Sequence, residues 1–209
     1  MNATFVTGIG TNVGKTIVSA ILCEALQADY WKPVQSGIEE GRDIDTVRSL
    51  ISNTKTVFHH SAYELKLPAS ANIAADAENV KITLEKLEIP RTENHLIIEG
   101  AGGLLVPISD DKTFLDFVVK NNLSVAVVIS SYLGCINHSL LTFEVLQKYN
   151  VPVRCAVLNG NFDSEVEKTL KKFIFSPFIK IAQTERVDKD FVSRETEKIR
   201  KENIALFNS

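Results

Sequence analysis

The chain has 209 residues and a hydrophobic fraction of 44%, enough for a buried core and a length that suits one α/β domain. Its net charge of −3 gives no basic footprint for nucleic acid and no cationic face for a membrane, and no stretch approaches the ~18 apolar residues that spanning a bilayer requires. Cys23, Cys135 and Cys155 are odd in number and widely spaced, which fits reduced cytosolic thiols and excludes a disulfide framework or a zinc site.

The first element says most. Thr4 to Thr7 reads as a short buried strand, Gly8-Ile9-Gly10-Thr11-Asn12-Val13-Gly14 as a glycine-rich turn, and Lys15-Thr16 as the start of a helix. Ile17, Ala20, Ile21 and Ala25 continue that helix at apolar spacing. The N-terminus enters the strand with no signal peptide ahead of it, so a cytoplasmic protein is expected. Strand, glycine turn and helix start together build a phosphate cradle. Glycines let backbone N–H groups converge on an anion, and the helix adds unpaired donors and the positive end of its dipole. In the strict P-loop pattern the opening glycine falls where Ile9 stands; here Gly8 lies one residue further out. The strand–turn–helix context nonetheless marks Gly10, Thr11, Asn12, Val13, Gly14, Lys15 and Thr16 as a nucleotide-binding loop. Lys15 supplies a point charge for the outer phosphates, and the Thr16 hydroxyl suits Mg²⁺.

Further strands are expected at 30–34, 95–99, 125–130 and 153–159, with a weaker one at 179–182. Helices are expected at 15–27, 44–52, 82–87, 114–121, 137–149 and 164–173, followed by a polar, solvated helix from 189 to 203. Residues 53–80, which include Pro68, form the least regular stretch. Strands alternating with helices imply right-handed crossovers and a mostly parallel sheet. Runs such as Leu96-Ile97-Ile98 and Val125 to Ile129 are apolar on both faces, as helices packed on both sides require. The expected fold is a single P-loop NTPase-type α/β domain over 1–209.

In such sheets ligands bind beyond the carboxyl ends of the strands. Polar or glycine-rich turns stand at four of those ends: Lys32 to Gly37, Glu99 to Gly103, Ser130 to His138, and Asn159-Gly160-Asn161. Lys32 and Ser36 would lie beside the phosphate loop, and Glu99 is placed to hold Mg²⁺ directly or through water.

These residues resemble the dethiobiotin synthetases. The likeness is carried in order by Gly8-x-x-Thr11-x-Val13-Gly14-Lys15-Thr16, Lys32-Pro33-Val34-x-Ser36-Gly37, Glu99-Gly100-Ala101-Gly102-Gly103 and Leu133-Gly134-Cys135-Ile136-Asn137-His138, and it runs from residue 3 to about 160. The resemblance implies a cytoplasmic, homodimeric ligase of biotin biosynthesis with its active sites at the subunit interface. Its substrates would be 7,8-diaminononanoate, CO₂ and ATP, with Mg²⁺. One amine takes up CO₂ as a carbamate, the carbamate attacks the γ-phosphate, and the second amine closes the ureido ring. By the same resemblance Lys15 and Lys32 are the catalytic cations, and both stay charged beside anions. Thr16, Asp45 and Glu99 surround Mg²⁺, Asp45 being preferred to Asp43 because the helical run after it aligns better. Thr11, Ser36, Gly102 and Gly103 meet the substrate, Cys135, Ile136 and Asn137 reach it across the dimer, and Asn159 bonds the base.

The likeness fails after Asn159, where Phe178 to Thr184 lacks the proline segment common in the family. An open base pocket and relaxed nucleotide preference are expected there. A P-loop partitioning or regulatory ATPase is the alternative class. It typically has a lysine where Gly10 stands, and a membrane or DNA tether for which the mixed-charge tail shows no basic face. His59 and His60 read as surface or capping residues, His138 as orienting its turn, Cys135 as packing or substrate contact, and Phe173, Phe175 and Phe178 as core under the last strand.

Overall fold

The computed structural model describes residues 2–207. Among them seven parallel strands form one sheet in the order β4-β2-β6-β1-β7-β8-β9: β4 (Phe58–His59), β2 (Asp29–Trp31), β6 (Leu96–Gly103), β1 (Ala3–Gly8), β7 (Ser124–Ser130), β8 (Val153–Asn159) and β9 (Phe178–Ile181). The helices are α1 (Lys15–Leu26), α2 (Asp43–Leu50), α3 (Ala71–Ala77), α4 (Phe114–Lys120), α5 (Cys135–Lys148), α6 (Ser164–Phe173) and α7 (Lys189–Glu202), and they cover both faces. Val125 to Ile129 are all 0% exposed, which is why the central strands read as unbroken apolar runs. β1 lies between β6 and β7, so the chain leaves it for one side of the sheet and later returns to the other. Such a switch in strand order opens a crevice at the carboxyl end of β1, where the glycine turn stands.

Three sequence expectations meet a different structure. The strand expected at 30–34 stops at Trp31, because Pro33 has no N–H to give the sheet. The Pro33 carbonyl instead accepts from Ala62 and Tyr63, and the chain continues into β3 (Val34–Ser36), which pairs with β5 (Tyr63–Leu65) in a separate two-stranded sheet. The helix expected at 82–87 is absent among the described residues, where Ile82 and Leu87 are buried anchors of an irregular segment and α3 supplies the local helix. Phe173 and Phe175 are exposed, at 54% and 95%, so they do not pack under the last strand.

The C-terminal helix is also more than a solvated one. α7 buries Phe191, Val192, Thr196 and Ile199. Arg200 donates to the carbonyls of Glu24 and Ala25 at 2.7 and 3.1 Å, and Thr196 to that of Ile21 at 3.3 Å. Helix α1 therefore has its last carbonyls satisfied by a cation, a favourable charge for that end of its dipole.

Candidate active site

The glycine turn joins β1 to α1. Asn12 and Gly14 take left-handed backbone, with φ of 59° and 94°. Gly14 stands at the N-cap, makes no side-chain cap and is followed by no acidic residue in the first turn. The first N–H groups of α1 are thus left for an anionic ligand. A Cβ on Gly14 would lie 2.1 Å from Asn159 Nδ2. That amide donates to the Val13 carbonyl at 2.9 Å and ties the loop to the end of β8.

Lys15 is 7% exposed and donates to the Gly10 carbonyl at 3.2 Å. Burial lowers its pKa, with Glu99 opposing and Lys32 adding to the shift. Lys32 is 6% exposed, and its Nζ lies 3.2 Å from Glu99 Oε1 and in short contact with Asp43 Oδ2. Burial works against its charge, but Glu99 and Asp43 override that and raise its pKa. The Asp43 carboxyl is disfavoured by burial and held low overall by Lys32 and Thr16.

Thr16 Oγ1 lies 2.7 Å from Asp43 Oδ1 and 2.8 Å from Glu99 Oε1. A threonine hydroxyl has a single hydrogen and cannot donate to both at once. Three hard oxygens converging with one hydrogen among them fit Mg²⁺, which takes one or two carboxylates and completes its shell with water and phosphate. No group of three or more His, Cys, Asp or Glu side chains suited to a metal occurs among the described residues, so a closed all-protein cage is not what this site offers.

The structure brings Thr11, Lys15, Thr16, Lys32, Ser36, Glu99 and Gly102 to one cleft of about 830 Å³. Gly103 extends β6 beside Gly8, and the Ser36 Oγ is buried with no hydrogen-bond partner among the described residues. Gly102 needs its φ of 65°, and a Cβ there would lie 2.8 Å from Val106. Asp45 is not part of the cluster. It faces solvent and pairs with Arg42 at 2.8 Å and Arg48 at 3.0 Å, while Asp43 occupies the position expected of it. Both aspartates lie in the first turn of α2, and two residues on a helix point ~200° apart, so only one can face the cleft. Gln35 decides which: its Oε1 accepts from the Asp43 backbone N–H at 3.0 Å.

Cys135, Ile136 and Asn137 open α5 away from this cleft, buried, half-buried and exposed in turn. Tyr132 Oη and His138 Nδ1, 2.7 Å apart, fix the turn ahead of them. His59 has a carboxylate partner that sequence reading missed, Asp29 Oδ2 at 3.3 Å. Tyr30 was missed as well. Its hydroxyl donates to Glu99 Oε2 at 2.9 Å. Its position two residues before Lys32, on the same face of the chain, was the available signal.

A phosphate-binding turn at a central parallel strand, with two buried lysines and two acidic groups beside it, defines a P-loop nucleotide-dependent enzyme. A family model described as an AAA domain matches residues 2–184. A ParA family ATPase from Chlorobium tepidum aligns with a TM-score of 0.57 at 13% identity, over 99% of this chain and 95% of that one. The septum site-determining protein MinD of Pyrococcus horikoshii, complexed with Mg-ADP, aligns at 0.54 and 12%, over 97% of each chain. Those likenesses show the fold. Sequence relatives go further. The ATP-dependent dethiobiotin synthetase BioD of Cytophaga hutchinsonii is 42% identical over 195 residues, which cover 92% of this chain and 94% of that protein. Its counterpart in Christiangramia forsetii is 43% identical over 168 residues, covering 80% and 81%. The chain belongs to the dethiobiotin synthetase family and is a ligase.

Proposed function

We propose that this enzyme converts 7,8-diaminononanoate, CO₂ and ATP into dethiobiotin, ADP and phosphate. The observation that carries the reading is the pair Lys15 and Lys32, two buried ammonium groups flanking Thr16, Asp43 and Glu99 at the mouth of one cleft. The amine adds to CO₂ and loses a proton, giving a carbamate. A carbamate oxygen attacks the γ-phosphorus and ADP leaves. The second amine then attacks the carbonyl carbon of the mixed anhydride, phosphate leaves, and the ring closes. These steps need positioning and charge neutralisation more than covalent help from the protein.

Lys15 and the N–H groups of the loop take the β- and γ-phosphates. Lys32 swings from Asp43 and Glu99 to the carbamate and the transferring phosphoryl group. Thr16, Asp43 and Glu99 would hold Mg²⁺, which supplies positive charge against the phosphate oxygens when bound. Thr11, Ser36 and the backbone at Gly102 and Gly103 hold the carbamate and the diamine. Ser36 suits this because its hydroxyl has no hydrogen-bond partner among the described residues.

The diamine's far end is held across a homodimer by Cys135, Ile136 and Asn137. Leu133, ahead of α5, is fully exposed and Leu141, midway along it, is 58% exposed, apolar surface of the kind such an interface needs. Asn159 borders the base, and without the proline segment GTP should also be accepted. Comparing GTP and ATP turnover at saturating diamine measures this, and a strict ATP requirement counts against it. The central test incubates the protein with Mg·ATP and bicarbonate, with and without the diamine, and follows phosphate release together with the mass of the cyclic urea. Hydrolysis independent of diamine, with no ring product, would sink the proposal.

A further inference from the structure

Glu99 is 1% exposed, and its two oxygens have different surroundings. Oε1 faces Thr16 at 2.8 Å and Lys32 at 3.2 Å. Oε2 faces away from the cleft and accepts from the Tyr30 hydroxyl at 2.9 Å, its donor among the described residues. Tyr30 is 0% exposed and does not line the cleft.

The sheet explains the contact. β2 and β6 run parallel with Tyr30 opposite Ile97 and Trp31 opposite Ile98. Tyr30 therefore lies below Lys32 on one face, while Glu99 lies one step beyond Ile97 on the same face. A long side chain at residue 30 reaches up the sheet to the back of the Glu99 carboxylate. The phenol ring is held by Phe58, 6.0 Å away between centroids.

The terminal torsion of a glutamate is broad, so the residue itself does not fix where its lone pairs point. Thr16 and Lys32 do not fix it either, since both address Oε1 and both must change partners when a nucleotide enters. The phenol is the permanent contact. We infer that Tyr30 is a positioning residue, which pins Oε2 so that Oε1 is presented to the cation carried by the nucleotide. This rests on the metal-site reading of Glu99 above. Groups that orient a metal ligand from behind are worth about 10- to 100-fold in metal affinity.

Tyr30→Phe removes the hydroxyl and keeps the ring. The full-length protein is titrated with Mn²⁺ in the presence of ADP, and free Mn²⁺ is followed by electron paramagnetic resonance. No diamine and no turnover are involved, so the result is independent of whether dethiobiotin is the product. The half-saturating Mn²⁺ concentration is expected to rise about tenfold, while metal-free ADP affinity stays the same. Phe58→Leu serves as the packing control: it should lower the melting temperature and leave Mn²⁺ binding unchanged. Wild-type Mn²⁺ affinity in Tyr30→Phe overturns the inference, and so does an equal loss in Phe58→Leu.

If Tyr30→Phe does not fold, the wild-type protein carries the test. With ¹³Cζ-labelled tyrosine, the slowly exchanging hydroxyl of this buried side chain should shift when Mg·ADP is added. A resonance that does not move refutes the role. A protein that binds no Mn²⁺·ADP at all would instead refute the metal-site reading itself.

Discussion

Replacing Lys32 by methionine keeps the unbranched stem of the side chain and removes its charged end. Glu99, 1% exposed, and Asp43, whose side chain is 29% exposed, then lose the cation that contacts both and keep only the field of Lys15. Removing one partner of a buried ion pair costs ~3–5 kcal/mol. Water at Asp43 softens the repulsion, which places the loss near ~3 kcal/mol. For a chain of this size that corresponds to a fall of about 6–12 °C in melting temperature. Added Mg²⁺ should narrow the gap, because it restores positive charge where the ammonium was. The parent, whose site already holds its own cation, should respond less. Calorimetry or fluorescence melts of both proteins, with and without millimolar Mg²⁺, measure this. Equal melting temperatures without metal, or equal stabilisation by Mg²⁺, would refute the electrostatic account of the site. Turnover should fall at least a hundredfold, of the order lost when a preorganised charge is removed from a transition state. Near-normal turnover would remove Lys32 from the chemistry.

Lys15→Ala should likewise lose about a hundredfold or more in turnover, read by coupled phosphate release. Gly14→Ala strains a φ of 94° and drives a methyl group into Asn159 Nδ2. ADP affinity by calorimetric titration should fall about tenfold or more, from left-handed strain of ~1–3 kcal/mol, and parent-like affinity would contradict the loop geometry. His95 reports on acid stability. Burial, with Arg154 nearby, lowers its pKa from 6.5 to about 4, and its Nε2 lies 2.8 Å from Thr4 Oγ1. The unfolded chain binds this proton near pH 6.5 and the folded protein only near pH 4. Its contribution is therefore full above pH 6.5 and is lost as pH falls towards 4, by up to about 3 kcal/mol. Urea midpoints across that window should decline less steeply in His95→Gln, and parallel curves would exclude His95 as the cause.

The sequence by itself determined the P-loop, the parallel sheet and the family. Glycine, lysine and threonine at a strand–helix junction act through backbone and spacing, and apolar runs declare burial on both faces wherever they occur. Lys32, Ser36, Glu99 and Gly102 were legible for the same reason: strand ends in a parallel sheet share one edge. Only the tertiary structure decided between Asp43 and Asp45. Helix periodicity offers both phases, and the hydrogen bond from the Asp43 backbone to Gln35 on a different element selects one. It also decided that Pro33 diverts the chain into a second small sheet, that α7 caps α1 through Arg200, and that Tyr30 stands behind Glu99. Each of these is a contact between residues far apart in the chain or on separate elements, and local pattern carries no information about which surfaces the fold will press together.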